Sequence, residues 1–366
     1  MLHRLYSQTV PFTSTDTIAA PATATTLRAR IPRQRRRLEG MMLTVTFTNA
    51  AAMTGAAADS YAGGVKEIRL NINDARGKRN MIQVNGPALL SLIQNEGVQL
   101  DRYAIYGYGQ ALTHAASNYV VNFFIPCAHP QIAEPFKALT SLPLSSDFLA
   151  DDPELQIDFR STTAGGEWAT TNGPTAIACK LTAILRDAPD TLPYLPSEIV
   201  TDRFVATATS QARYDVANSG FLTGLLIQGY SATTYDDTIT RVDPVSAGGR
   251  LRLDYGQEIF KETYPEALIG LNDMSRACAV IKGAVSIETD KRLFTGEYFF
   301  DFLTEAAGQD NFSIYSALNL NPQALGGDRL KLIFNDLASA SYLVQITHHK
   351  LLASTWNELK QLATMI

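Results

Sequence analysis

Hydrophobic and polar positions alternate with a period of two along much of this chain, the pattern of strands with one buried face. Leu27-Arg-Ala-Arg-Ile31 alternates in this way. So does Met41-Met-Leu-Thr-Val-Thr-Phe-Thr48, with Leu43, Val45 and Phe47 on one face and Thr44, Thr46 and Thr48 on the other. Residues 68–72, 118–125, 155–159 and 176–185 read as further strands, rich in β-branched and aromatic residues. One helical period interrupts them, where Gly86-Pro87 opens a run that sets Leu89, Leu92 and Ile93 on one face and ends near Gly97. Short strands, turn-rich spacers and a single helix predict an all-β sandwich or barrel.

The pattern breaks at Pro189-Asp-Thr-Leu-Pro193-Tyr-Leu-Pro196. Pro189, Pro193 and Pro196 each fix φ and remove an amide donor, so this stretch is expected to be a stiff, extended interdomain connector. Beyond it the same order of elements returns. Gly40-Met-Met-Leu-Thr-Val is echoed by Gly220-Phe-Leu-Thr-Gly-Leu, and Ile68-Arg-Leu-Asn by Leu251-Arg-Leu-Asp. The helix start at Pro87 is echoed at Pro265, Tyr119-Val-Val-Asn-Phe-Phe by Tyr298-Phe-Phe-Asp-Phe-Leu, Leu155-Gln-Ile-Asp-Phe by Leu330-Lys-Leu-Ile-Phe, and Cys179-Lys-Leu-Thr by Val344-Gln-Ile-Thr. Each pair alone is weak, but the shared order predicts a duplicated domain. After Thr347 the pattern changes: Leu352, Trp356, Leu359 and Ile366 fall at helical spacing. Thr355 and Glu358 approximate a capping box, with Ser354 as a second candidate cap. The expected division is an arm or irregular first strand over 1–27, a first domain over 28–188, the connector over 189–196, and a second domain with a C-terminal helix over 197–366.

At 366 residues, 46% hydrophobic and 18% charged, the chain can fill two cores. Its surface relies on Thr, Ser, Asn and Gln, which suits burial against neighbours as well as a weakly charged monomer. Net charge is −5, yet Arg28, Arg30, Arg33, Arg35, Arg36 and Arg37 cluster with no acid among them. This cluster admits three readings: a link between strands that pairs with acids of a neighbouring subunit, a nucleic-acid contact, or a contact with an anionic membrane. The aligned stretch Ser210–Ala217 is not basic, which favours a structural link carrying added charge. No apolar run is long enough to span a membrane, and no signal peptide is evident. Cys127, Cys179 and Cys278 are few and widely spaced, and are expected to be buried reduced thiols made in a reducing cytoplasm.

Chemistry is hard to find. There is no Walker or dinucleotide loop, no Gly-x-Ser-x-Gly, no His-Glu-x-x-His and no Cys-x-x-Cys. Asp151-Asp152 and Asp236-Asp237 fall in turn-like stretches and read as solvated loop charges. A two-domain metal enzyme would need histidines converging from adjacent strands. His348 and His349 are neighbours on a strand and point to opposite faces, while His114 and His129 have no histidine counterparts in the second half. No catalytic, cofactor or metal residue is assigned, and no enzyme activity is expected.

Two tandem β-sandwiches joined by a short connector resemble the double jelly-roll major capsid proteins of tailless icosahedral, membrane-containing double-stranded DNA viruses and phages. The segment Leu27-Arg-Ala-Arg-Ile-Pro-Arg-Gln-Arg-Arg-Arg-Leu-Glu-Gly-Met-Met-Leu-Thr-Val and its counterpart Arg213-Tyr-Asp-Val-Ala-Asn-Ser-Gly-Phe-Leu-Thr resemble the link and following strand of phage members. The resemblance implies two tandem eight-stranded jelly-roll β-sandwiches with short helices in loops. It implies a bacteriophage-type virion structural protein: a homotrimer of pseudo-hexagonal outline that contacts neighbouring trimers, minor capsid or vertex proteins and an internal membrane, with no cofactor and no sequence-specific nucleic-acid contact. Such a protein is made in the host cytoplasm and resides in the virion. An alternative is a two-domain carbohydrate- or receptor-binding spike, for which Tyr103, Tyr106 and Tyr108 are the aromatic candidates.

Overall fold

The structure is a computed structural model that describes residues 4–13, 15–19, 25–52, 54–56, 60–96, 116–132, 137–161, 169–171, 173–188, 192–206, 210–231, 242–265, 267–268, 296–303, 317–337, 342–353, 355 and 357–358. Its first half contributes β1 (Leu5–Val10), β2 (Thr25–Arg30), β3 (Arg37–Asn49), β4 (Val65–Asp74), β5 (Gly77–Val84), β6 (Ser117–Pro126), β7 (Glu154–Phe159) and β8 (Ala176–Arg186). The second contributes β9 (Ser197–Ala206), β10 (Gln211–Val216), β11 (Phe221–Tyr230), β12 (Val245–Tyr255), β13 (Glu258–Thr263), β14 (Glu297–Asp301), β15 (Leu330–Leu337) and β16 (Tyr342–Leu351).

In the first half β1-β8-β3-β6 form one antiparallel sheet and β5-β4-β7-β2 the facing one. In the second, β9-β16-β11-β14 and β13-β12-β15-β10 repeat both orders. Two sandwiches of eight strands result, each strand answering to the one eight places later. Shorter pieces add to them: Thr17–Ala19 on β8, Leu142–Pro143 on β3 and Leu318–Asn319 on β11.

The β-bulges establish the duplication more firmly than sequence matching. The β3–β8 ladder slips at Glu39, between the pairs Gly40–Ile184 and Leu38–Leu185. The β11–β16 ladder slips at Thr223, between Gly224–His349 and Leu222–Lys350. The next residue is glycine in both, and an added Cβ would meet an aromatic ring at 2.7 Å (Phe124) or 2.9 Å (Phe299). Gly40 therefore answers to Gly224, not Gly220, and Phe124 to Phe299. The β4–β5 and β12–β13 ladders slip in matching places too, leaving Met81 and Phe260 unpaired. The correspondences of Ile68 with Leu251 and of Cys179 with Val344 fit these registers.

Alternation places the apolar faces inside. Leu43, Val45, Phe47, Ile68, Leu70, Val121, Phe123, Leu155, Ile157, Ile177 and Leu181 fill the first core. Leu225, Ile227, Leu251, Leu253, Phe300, Leu332, Phe334, Val344 and Ile346 fill the second. Each such side chain contributes about 1.5–3 kcal/mol of transfer free energy. Helix α1 (Gly86–Asn95) is buried on nearly all sides, which its all-round apolar sequence requires. Asn85 caps it by accepting the Ala88 amide at 2.8 Å, and Pro87 stands in its first turn. A second, short helix, α2, spans Lys137–Thr140.

The sandwiches are joined through a sheet. β9 lies parallel to β5, with Ile199 opposite Ile82 and Val200 opposite Gln83, so one nine-stranded sheet runs through both halves. Within the segment read as an arm or irregular first strand, Leu5–Val10 forms β1, which pairs with β8 along its whole length. Its burial is slight, as befits an edge strand. Thr355 Oγ1 accepts the Glu358 amide at 3.1 Å, the cap expected for the C-terminal helix, whose remainder lies outside the described residues. Most of the helix expected after Pro265 also lies outside them.

Candidate functional site

Between the sandwiches lies a buried polar seam. Helix α1 packs on β11, and the residues around it reach across. Asn85 donates to Gln345 Oε1, and Ser91 Oγ donates to Glu297 Oε2 at 2.6 Å. Gln228 donates to Glu297 Oε1 at 2.7 Å, and Gln131 to Asp301 Oδ2 at 3.3 Å. Ser91, Gln228, Glu297 and Gln345 have no solvent exposure. A polar group this deep is tolerable only when its partner is present, so the Asn85–Gln345, Ser91–Glu297 and Gln131–Asp301 bonds fix the position of one sandwich on the other, while Gln228 holds Glu297 from within the second sandwich.

At the end of this seam Glu96, His129 and His349 converge from three distant segments, all buried. His349 Nδ1 lies 2.6 Å from Glu96 Oε1, and its Nε2 lies 2.5 Å from Ser197 Oγ. Thr223 Oγ1, the residue at the second bulge, donates to the His349 carbonyl at 2.9 Å. It therefore accepts a hydrogen bond from His129 Nε2 at 2.9 Å, while His129 Nδ1 accepts one from the Gln131 amide at 3.3 Å. His129 accordingly carries its proton on Nε2.

One carboxylate and two imidazoles are a chemically competent metal set. Their geometry is not that of chelation. The two rings stack with centroids 4.0 Å apart and an interplanar angle of 17°. Ring lone pairs lie in the ring plane, so stacked rings aim them side by side and not at one point. Both His129 nitrogens are also occupied by hydrogen bonds. The cluster is a hydrogen-bonded clamp between the sandwiches. A search for duplicated histidines could not find it, because it sits at the joint and takes one residue from each of three unrelated segments.

His348 faces the other side of β16, as neighbours on a strand must. Its Nε2 lies 3.3 Å from Asp202 Oδ2. Burial holds the His348 ring below the ordinary histidine range, and the His348 hydrogen bond, with that of Tyr214, brings Asp202 down to about 2.

The arginine cluster and the proline connector meet. Arg37 is buried, 5% exposed, and its guanidinium donates to the carbonyls of Leu192, Pro193 (3.1 Å) and Ala138 (3.2 Å). Leu195 donates to the Leu139 carbonyl at 2.9 Å, and the Pro196 carbonyl accepts from Leu352 at 2.8 Å. Pro189 lies outside the described residues. Four of the other arginines face acids of their own chain. Arg28 and Arg30 lie 3.9 and 3.6 Å from Glu154, and Arg33 lies 3.2 Å from Asp152. Arg36 pairs with Asp187 at 3.1 Å and stacks on Tyr6. Arg35 is exposed and takes part in none of these pairs. Cys127 and Cys179 are buried free thiols, and burial pushes Cys179 up to about 12. Cys278, His3, His114 and the Tyr103–Tyr108 aromatics lie outside the described residues.

No family model and no curated protein sequence matches the chain. Solved structures do. The major capsid protein P2 from bacteriophage PM2 aligns with a TM-score of 0.58 at 9% identity, over 96% of this chain and 98% of that one. The STIV MCP gives 0.62 at 14% identity over 98% and 99%, and the PBCV-1 virus capsid 0.59 at 8% identity over 96% and 95%. These alignments run end to end through both sandwiches. The fold is the double jelly roll. At such identities the likeness is one of fold, and it extends over both rolls. Among the described residues, no helix is long and apolar enough to cross a membrane.

Proposed function

We propose that this chain is a major capsid subunit, a viral structural protein that trimerises and tiles an icosahedral shell. The observation that carries the reading is the joining of two equivalent rolls, side by side, by a shared sheet and a buried polar seam. Three such chains present six similar units, so a trimer fills a nearly hexagonal tile without six identical chains. The proposal assigns the residues no catalysis: their work is to hold geometry. Vertex proteins and an internal membrane would be the remaining neighbours in the virion. The pairing of Arg28, Arg30, Arg33 and Arg36 with acids of the same chain favours a structural role for the basic cluster over an anionic-surface role.

Light scattering on the purified protein tests the reading. It predicts a species of about 120 kDa, three times the 39.9 kDa chain. A monomer at all concentrations would overturn it.

A further inference from the structure

The joint inside the chain predicts the joint between chains. Within the chain, the outer edge of β5 in the first roll is covered by β9 of the second. The counterpart of β5 is β13, and the counterpart of β9 is β1. Neither has a partner on its outer edge among the described strands: β13 pairs only with β12, and β1 only with β8. A single chain thus ends in two complementary halves of the contact it makes internally.

The exposed apolar side chains sit where this relation requires them. Among the described residues, five large hydrophobics stand out to solvent, Leu5, Val205, Ile259, Phe260 and Tyr264, and all but Val205 lie on or beside these two edges. Leu5 is on β1, Ile259 and Phe260 are on β13, and Tyr264 directly follows it. Phe260, 48% exposed, occupies the bulge position that Met81, 3% exposed, holds in the first roll beneath β9. Tyr264, 50% exposed, answers to Asn85, 2% exposed. At Phe260 and Tyr264 the uncovered edge is aromatic at the positions that burial hides in the other copy. Uncovered edge strands are normally guarded by charge, bulges or brevity, and an apolar one signals a partner.

We propose that β13 of one chain takes β1 of a second copy as a parallel neighbour, reproducing the β5–β9 pairing. The bulges set the register. Ile82 answers to Lys261 and Gln83 to Glu262, while β1 aligned on β9 through β8 and β16 places Ser7 at Ile199 and Gln8 at Val200. Ser7 therefore lies beside Lys261 of the next chain and Gln8 beside Glu262. One step back along both strands, Tyr6 comes beside Phe260, then Leu5 beside Ile259 and Arg4 beside Glu258. The apolar residues meet, and a cation meets an acid. The contact is head-to-tail, so it closes into a ring or runs on as a filament. The inference rests on the trimer reading and names the surface that makes the trimer.

The test is a double-cysteine chain, Ser7→Cys with Lys261→Cys in a Cys278→Ser background, treated with a short thiol cross-linker, with each single-cysteine chain as control. The expected result is a denaturing-gel ladder that stops at three chains and is lost in both controls. A ladder running past three would keep the strand pairing and overturn the trimer. No cross-link in a sample that light scattering shows to be trimeric would overturn the pairing and leave the trimer standing; a monomer would overturn both. Phe260→Asp gives an independent reading: the chain should stay folded by circular dichroism, with a lower thermal midpoint, while the trimer is lost. A trimer that survives this substitution would contradict the proposal.

Discussion

Arg37→Met removes the guanidinium that ties the connector to the first roll but keeps an apolar stem of similar length. Three carbonyls, of Leu192, Pro193 and Ala138, lose a charged donor. A buried polar group left unmade costs about 1–3 kcal/mol, so the lower bound is about 3 kcal/mol for the three. Water reaching the half-buried Leu192 and Pro193 will limit the total to about 5 kcal/mol, the usual range for breaking a buried charged contact. At ~2–4 °C per kcal/mol for a unit of this size, the first thermal transition should fall by at least about 6 °C. Calorimetry measures this directly, and proteolysis should begin to cut between the rolls. Arg37→Lys, which keeps the charge but not the fork, should recover only part of the loss. A loss below about 1 kcal/mol in Arg37→Met would refute the claim that this arginine fixes the connector.

Other perturbations test other parts. Glu39→Ala removes the carboxylate whose Oε2 lies 2.7 Å from Arg186 Nε in a buried pair, and should cost about 3–5 kcal/mol by urea denaturation. Gly224→Ala sets a methyl 2.9 Å from the buried Phe299 ring and should cost about 1–3 kcal/mol. Gly40→Ala should cost a similar amount, because its methyl would meet the Phe124 ring at 2.7 Å and the Ile125 carbonyl oxygen at 3.0 Å; equal stability of Gly224→Ala and the parent would contradict the bulge register. For pH, the unfolded chain protonates His348 near the usual 6.5, whereas the buried ring resists the proton. Stability should therefore be level above about pH 6.5 and fall below it, and His348→Gln should flatten that slope in thermal melts. The Asp202 contribution has a different window: present above its unfolded value near 3.9, it is lost as pH falls through about 2.

Alternation and the proline break made the duplicated β architecture legible in the sequence, since period-two patterning survives almost any substitution that keeps a residue apolar. The register was less legible. Gly40 matches Gly220 as well as Gly224 by sequence, because a shift of four keeps every side chain on its own face. The matching bulges at Glu39 and Thr223, and the close approach of Phe124 and Phe299 to the glycines that follow them, separate the two. The seam was invisible for another reason. Glu96, His129, Thr223 and His349 occupy positions with no shared periodicity, and their meeting depends on how the rolls dock. The arginine cluster was visible as charge, but its split into a buried connector clamp at Arg37 and surface pairs at Arg28, Arg30, Arg33 and Arg36 depends on acids more than a hundred residues away.

The central claim is that two like rolls in one chain let three chains make a hexagonal tile. Averaged electron-microscope images of the purified assembly, viewed down its symmetry axis, test this most directly. The account predicts a threefold particle of nearly hexagonal outline with six towers of similar height. A separate two-lobed particle, or an assembly with only three towers, would contradict it.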